Sequence, residues 1–311
     1  MRRLTDRRLF LQGALGAAAY AGPWALSAPA TAAPAGSPLT SQLLAPEVSL
    51  VSGAGGNVVT VGAPDGIVMI DGGLAARSRE LLQRVQTGKR PVQALFNTHW
   101  HWDHTGSNEA LGKAGVRIIA HENTKLWMQR PIIVPWENRQ YPPVPAKALP
   151  TSTFYTGDVM HFGSHELRYG YLGQAHTDGD IYIHLPQSNV LVVGDVVSVG
   201  SYPVLDYATG GWVGGVLDAT KQLLKLSDEK TLIVPGSGPV VTRVHLQAES
   251  DMLEVLKERI WQLMRKGMSD TDIVAAKPTA EYDDKWGDPT QFLMSCYKGL
   301  WGHVRELRGV V

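Results

Sequence analysis

Cysteine is almost absent: Cys296 is the only one among 311 residues. A lone thiol closes no internal loop, so no disulfide framework holds this fold, and the residue reads as a small buried hydrophobe. An excess of one charge is missing as well. Lys plus Arg and Asp plus Glu each total 29, which leaves no whole-chain field to steer the protein onto nucleic acid or anionic lipid. There is no G-x-S-x-G turn of the kind that presents a serine nucleophile, no fixed-period repeat, no low-complexity block and no heptad pattern. What remains is an ordinary mixture, 44 % hydrophobic and 19 % charged, long enough to bury a substantial core.

A bilayer-length apolar run is missing too. The N-terminus, "MRRLTDRRLFLQGALGAAAYAGPWALSAPATAAPAG", opens with Arg2, Arg3, Arg7 and Arg8, passes through an Ala/Gly/Leu-rich stretch, and ends in small residues offering A-x-A-type cleavage sites, for instance after Ala32. Gly13, Gly16, Gly22 and Pro23 interrupt a segment already short for a membrane span. The run "DRRLFLQ" resembles the twin-arginine export signal of bacteria, with Asp6 and Gln12 where a hydroxyl residue and a lysine are usual. Residues 1–32 are therefore expected to be an export signal read by the bacterial export machinery. The mature protein would be periplasmic or secreted, with no stable membrane insertion after cleavage. Losing four arginines and Asp6 would leave it slightly acidic.

After a Pro/Ala/Ser linker the pattern turns strand-like. "VSLVSGAGGNVVTVGAPDGIVMIDGG" alternates short β-branched runs with hairpin punctuation. "SRELLQRVQTG" has helical spacing, with Leu81, Leu82 and Val85 on one face. "VQALFNT" is a short apolar strand, "SNEALGKAG" a short helix stopped by Gly115, "VRIIAH" a strand and "ENTKLWMQR" a short helix. From Pro131 to Pro150 the proline-rich chain has no clear period and reads as a long surface loop bordering a pocket. "HELRYGYL", "IYIHL" and "VLVVGDVV" are strands, the last two joined by a tight "PQSN" turn. "GGVLDATKQLLKL" is a helix, "TLIVPG" a buried strand, "HLQAESDMLEVLKERIWQLMRKG" a long amphipathic helix ending at Gly267, and 288–307 a helical tail. With no composition break, one α/β domain over residues 36–311 is the economical expectation.

One stretch is unlike the rest. "NTHWHWDHTGSN", residues 97–108, places three of the chain's ten histidines and an aspartate within six positions. Following a strand, the i, i+2 spacing of His99 and His101 suits an extended loop end on which alternate side chains project the same way. Those two can share one metal, while Asp103 and His104 are offset toward a second position. Imidazoles with a carboxylate are the donors zinc prefers in catalytic sites. Trp100 and Trp102, alternating with the ligands, are expected to point away and pack beneath the loop. The other aromatics on loops, Trp136, Tyr141, Tyr202 and Trp212, are read first as core or rim packing. His121 is placed at a strand end close to the metal loop, and His161, His165, His184 and His303 at the surface or as satisfied polar groups.

"THWHWDH" resembles the H-x-H-x-D-H signature of the metallo-β-lactamase superfamily, and the likeness extends along most of the mature chain. "GNVVTVGAPDGIVMIDGG" is similar to that family's opening hairpin, with Asp71 in its Asp-Gly turn. "GQAHTDGDIYIHLP" is similar to the segment bringing the third histidine, His176, to the first metal. "VLVVGDVV" matches the strand whose terminal aspartate, Asp195, bridges two metals, and "TLIVPGSGPV" the last strand and its Pro-Gly. The resemblance implies a four-layer αββα sandwich with the site at one edge of its two sheets. It also implies a zinc-dependent hydrolase: His99, His101 and His176 hold a first zinc, whose hydroxide attacks a carbonyl. Asp103 orients that hydroxide and relays its proton, and Asp103, His104 and Asp195 hold a second metal.

Ser237 departs from the pattern. The family places a histidine there as a ligand of the second metal, and a neutral hydroxyl is a much poorer donor. His245, eight residues on, is expected at a helix start. The expected cofactor is therefore one firmly bound Zn2+, with a weakened second site where Ser237 either holds a water in place of the missing ligand or leaves the position too poor to keep a second metal. The expected substrate is a small molecule of the lactam, lactone or ester class, since export argues against one built on a cytosolic thiol cofactor. The alternative is an exported metal-binding accessory protein without turnover.

Overall fold

The computed structural model describes residues 38–86 and 90–303. The expected export signal, residues 1–32, lies outside them, as do residues 304–307 of the expected helical tail. Strands β1 (Thr40–Ala45), β2 (Val48–Ala54), β3 (Gly56–Ala63) and β4 (Gly66–Ile70) form an antiparallel meander. Strand β5 (Val92–Phe96) then pairs parallel to β4, and β6 (Arg117–His121) parallel to β5. A separate hairpin, β7 (Ile132–Val134) with β8 (Arg139–Tyr141), precedes β9 (Ser152–Phe154), which closes the seven-stranded sheet in parallel to β6. The second sheet orders β10 (Gly157–Phe162), β11 (His165–Tyr171), β12 (Ile181–Leu185), β13 (Val190–Gly194) and β14 (Leu232–Pro235), antiparallel except for the parallel pair β13 and β14.

The period-2 alternation of the strands sorts side chains into layers. Val59, Val61, Val68, Ile70, Ala94 and Phe96 face the other sheet and meet Leu167, Ile181, Ile183, Val190, Val192 and Val234 in a dry central core. Their sequence neighbours Val58, Ile67, Met69 and Leu95 face outward, under Leu81 and Val85 of α1 (Ser78–Val85). Two short helices, α2 (Trp102–Thr105) and α3 (Asn108–Lys113), follow β5, and α4 (Glu122–Met128) follows β6; Leu111 of α3 joins the same outer layer. On the far side Leu191, Val193 and Ile233 lie under α5 (Val213–Leu226) and α6 (Arg243–Arg265). Beyond them are α7 (Asp270–Ala275), α8 (Asp283–Trp286) and α9 (Thr290–Gly302). Cys296 of α9 is fully buried there. This is the four-layer αββα arrangement. Among the described residues no helix is long and apolar enough to cross a membrane.

Three readings of the sequence need correction. Residues 131–150 are not a structureless loop: Ile132, Val134 and Tyr141 of the β7–β8 hairpin are buried against Trp100 and Met128. Its strands are three residues long and flanked by prolines, too short for a period to declare itself. Strands β1, β9 and β10 fall outside the expected elements because most of their side chains are exposed or half-exposed, leaving no apolar alternation. His165 is neither at the surface nor satisfied, being buried with Nε2 lacking a hydrogen-bond partner.

Candidate metal centre

Parallel pairing puts the C-terminal ends of β4 and β5 side by side in one sheet, and those of β13 and β14 in the other. The segments leaving these four ends, together with the one leaving β11, form the site. After β4, Asp71 takes a left-handed backbone conformation (φ 63°) and aims a buried carboxylate at the segment after β5. One oxygen accepts from the Thr98 amide at 2.8 Å; the other accepts from Thr98 Oγ1 and meets His104 Nδ1, each at 2.8 Å. A reciprocal amide pair, Asn97 with Asn108, fixes the same segment from the other side at 3.0 and 2.8 Å.

The segment does not stay extended. His101 is the N-cap of α2, so Asp103 and His104 are helical and Trp102 turns outward, 40 % exposed. Trp100 behaves as expected, buried beneath the loop with Nε1 donating to Thr209 Oγ1 at 3.1 Å. Expecting both tryptophans on one face assumed a period of two across a point where the chain changes to a helical period.

His176 arrives on the segment between β11 and β12, and Asp195 directly after β13. One nitrogen from each of His99, His101 and His176 and an oxygen of Asp195 lie within 4.8 Å of one another. His176 Nε2 is 3.1 Å from His101 Nδ1, and Asp195 Oδ2 is 3.8 Å from Nε2 of both His99 and His176. The other Asp195 oxygen faces His104 Nε2 at 3.4 Å, and Asp103 Oδ2 lies 3.8 Å from that nitrogen. Asp195 therefore stands between the three-histidine group and the Asp103–His104 pair. His99 Nε2 and His104 Nε2 are buried with no hydrogen-bond partner. An orphaned buried nitrogen is costly unless something absent from the polypeptide takes its lone pair, and imidazole with carboxylate is a donor set for zinc. The residues fit a metal.

Each ring is held by its other nitrogen. His176 Nδ1 donates to the Val204 carbonyl at 2.7 Å, His101 Nε2 to Asp206 Oδ2 at 3.0 Å, and His99 Nδ1 meets Thr98 Oγ1 at 3.1 Å. Such partners select the tautomer that leaves the inward nitrogen's lone pair free. Asp206 escaped the sequence reading. It is fully buried, and it caps the turn 207–209 through the Ala208 and Thr209 amides and Thr209 Oγ1 while orienting His101. A lone Asp ahead of "YATGG" carries the signal of a cap and no signal of a ring partner.

Electrostatics follow the geometry. Burial holds His99 well below the ordinary histidine range, with the neighbouring histidines adding to it, and burial likewise lowers His176. Burial opposes a charge on His101 most strongly, but its hydrogen bond to Asp206 and the charges of Asp206, Asp103 and Asp195 together outweigh that and carry it upward. Burial opposes ionisation of Asp195 as well, yet His104, His99 and His176 keep its carboxyl well below the usual carboxylate range.

Ser237 is half-buried and directly follows Gly236, where a Cβ would lie 1.9 Å from Asp195 Oδ1. Asn57 of β3 pins this turn, its Nδ2 donating to the carbonyls of Pro235 and Gly238 at 2.9 Å each. His245 lies in the first turn of α6 and reaches the Ser198 carbonyl, not the metal cluster. His121 serves elsewhere, accepting from the Asn123 amide at the start of α4 and stacking on Tyr171 with ring centroids 3.9 Å apart.

The family model described as the metallo-beta-lactamase superfamily matches residues 51–245, more than half of the chain. The chain belongs to that superfamily. It is 27 % identical over 146 residues to metallo-beta-lactamase IND-1 of Chryseobacterium indologenes, a match spanning 47 % of this chain and 55 % of that protein. To metallo-beta-lactamase type 2 of Bacillus cereus it is 25 % identical over 200 residues, 64 % of this chain and 73 % of the relative. Among solved structures, the inverting sec-alkylsulfatase Pisa1 of a Pseudomonas species superimposes with a TM-score of 0.66 at 20 % identity, covering 84 % of this chain and 50 % of that one. At that identity the likeness is one of fold.

Proposed function

We propose that this superfamily member is an exported zinc-dependent hydrolase that opens a carbonyl substrate of the lactam, lactone or ester class. His99, His101 and His176 would hold the first metal, and Asp103, His104 and Asp195 a weaker second one. The observation that carries the reading is the convergence of three buried or nearly buried imidazoles and Asp195 within 4.8 Å, with the His99 Nε2 lone pair unclaimed by any protein donor. When bound in such a donor set, zinc supplies Lewis acidity and makes water nucleophilic near neutral pH.

The chain's own residues supply the rest. Thr98, Asp206 and Val204 fix the three rings, so little reorganisation accompanies reaction. Asp103, 18 % exposed at its side chain, and Asp195, 26 % exposed, form the open side of the cluster where a small molecule can enter. Asp103 can accept the proton of the attacking water and return it to the leaving group, a role open to a carboxylate at the solvent boundary. The twin-arginine-like leader supports action in the periplasm or the medium.

Metal analysis of protein purified after export, with assays against a lactam, several lactones and simple esters, tests the reading. Turnover that disappears in His101→Ala is the expected result. Silence across the panel with metal bound would replace the hydrolase by a metal-binding accessory protein.

A further inference from the structure

Segment 195–206 begins at Asp195, a carboxylate of the metal cluster, and ends at Asp206, the ring partner of His101. No helix or strand lies in it, since β13 ends at Gly194 and the turn at Tyr207 has not begun. Near its far end the Val204 carbonyl accepts from His176 Nδ1 at 2.7 Å, and the Asp206 amide donates to the His176 carbonyl at 2.9 Å. Asp206 Oδ2 then accepts from His101 Nε2 at 3.0 Å. One strap thus aims two of the three imidazoles. A stretch without a hydrogen-bonded ladder of its own takes its shape from what it is docked on.

The strap is docked on the outer helical layer. Val196, Val197, Tyr202 and Leu205 are buried in the apolar cluster that includes Leu246 and Leu253 of α6. The polar anchors are more specific. His245 and Glu249 stand one turn apart on α6, a spacing that places them on the same face. Together they take both backbone groups of one residue. His245 Nε2 donates to the Ser198 carbonyl at 2.7 Å, and Glu249 Oε1 accepts from the Ser198 amide at 3.1 Å. Holding the N–H and the C=O of a single residue fixes the peptide planes on both of its sides, which apolar packing does not do. Further along, the Tyr202 hydroxyl donates to Asp283 Oδ1 at 2.9 Å. Neither His245 nor Glu249 touches the cluster itself.

We infer that His245 and Glu249 are positioning residues of the metal cluster: gripping Ser198 from α6, they set the strap whose far end aims His101 and His176. The inference rests on the metal reading of that cluster. Ligating rings have to be held within about 0.5 Å of their productive geometry, so a loosened strap lowers metal affinity while the chain is still folded.

The test is zinc affinity by competition with a chromogenic chelator, on protein purified after export. His245→Leu and Glu249→Leu each remove one grip and keep an apolar side chain in its place. Each should weaken zinc about tenfold, the lower end of the loss for a residue that touches a ligand directly. His245→Gln, which keeps an N–H donor, and Glu249→Gln, which keeps the acceptor, should restore most of the affinity. Ile260→Val opens a small cavity about three turns further along the same helix. It should lower stability to urea and leave zinc affinity unchanged. Either leucine variant binding zinc as tightly as the unmodified protein, or Ile260→Val weakening zinc as much as they do, overturns the inference. If the unmodified protein takes up no zinc, the metal reading of the cluster fails, and the grip is decided on the metal-free chain by hydrogen exchange. The amides of Asp206 and Thr209, bonded to the His176 and Asp206 carbonyls, should then exchange about tenfold faster in His245→Leu than in Ile260→Val. Equal exchange in the two variants overturns it.

Discussion

Glu249→Gln should flatten the pH dependence of folding stability. Glu249 is fully buried in α6; Oε1 accepts from the Ser198 amide at 3.1 Å, and Oε2 has no partner at all. Burial pushes its carboxyl up to about 8, against the Ser198 hydrogen bond and Lys285, which both favour the charge. In the unfolded chain the group titrates near its ordinary 4.5. Between those two values the folded state holds a proton that the unfolded state has released, so stability falls as pH rises. At about 1.4 kcal/mol for each pH unit, the gap from 4.5 to about 8 is worth about 5 kcal/mol. Glutamine keeps the shape and the acceptor for Ser198 but has no charge to release. Urea unfolding at a series of pH values from about 5 to about 8 should show the unmodified protein losing ground to Glu249→Gln by several kcal/mol. Every other titrating group, the metal cluster included, is common to both proteins and cancels in the difference. A stability gap that stays constant over that range would show the carboxyl unchanged in protonation on unfolding and refute the reasoning.

Asp206→Ala removes the partner of His101 Nε2 and three hydrogen bonds within its own turn. Competition titration with a chromogenic chelator should show metal affinity lower by about 10–100-fold, the usual loss for a residue that orients a ligating histidine. Asp206→Asn should recover part of it. Ser237→His offers an imidazole beside the Asp103–His104 pair. With Asn57 already holding the turn at Pro235 and Gly238, elemental analysis at low free zinc should rise from nearer one ion per chain toward two, and an unchanged ratio would show that the serine is not what limits the second position.

The cluster after β5 was legible because its ligands are contiguous and their spacing is chemical in meaning. His176 and Asp195 were legible only through the resemblance, since neither a lone histidine in a Gly/Thr/Asp loop nor an aspartate after an apolar strand says much alone. Asp206 and Val204 were not legible at all. They act on His101 and His176 across 105 and 28 positions, and Val204 contributes a backbone carbonyl, which every residue has. Asn57 is similar, an amide within a strand whose partners are carbonyls 178 and 181 residues away. In the fold, strands packed on both faces announced themselves as short apolar runs, as β4 does with Val68 and Ile70 in the central core and Ile67 and Met69 under α1. The exposed edge strand β1, with Leu43 70 % exposed, had no pattern to read. The β7–β8 hairpin was hidden because its burial is against Trp100 and Met128, residues of the metal loop and α4 rather than of the main core.

The donors come from both halves of the sandwich, and this ties metal binding to the docking of the two sheets. His99, His101, Asp103 and His104 leave the end of β5 in the first sheet, whereas His176 and Asp195 are carried by the second. The contacts across this edge include His104 with Asp195, His101 with His176 and His101 with Asp206. The first two set a hydrogen-bonding atom against a buried nitrogen that can also serve as a metal donor. A cation held by His99, His101, His176 and Asp195 would draw on donors from both sheets, and so would be held fully only while the sheets are docked. Zinc should therefore stabilise the folded chain by linkage, by about 2.7 kcal/mol when free metal exceeds Kd a hundredfold. Chemical denaturation with and without zinc measures that gain. In His176→Ala the gain should shrink in step with the lost affinity, because the second sheet no longer supplies an imidazole. A stabilisation by zinc that is the same in His176→Ala as in the unmodified protein would mean that the metal binds within one sheet's segment alone, and the bridging argument would fall.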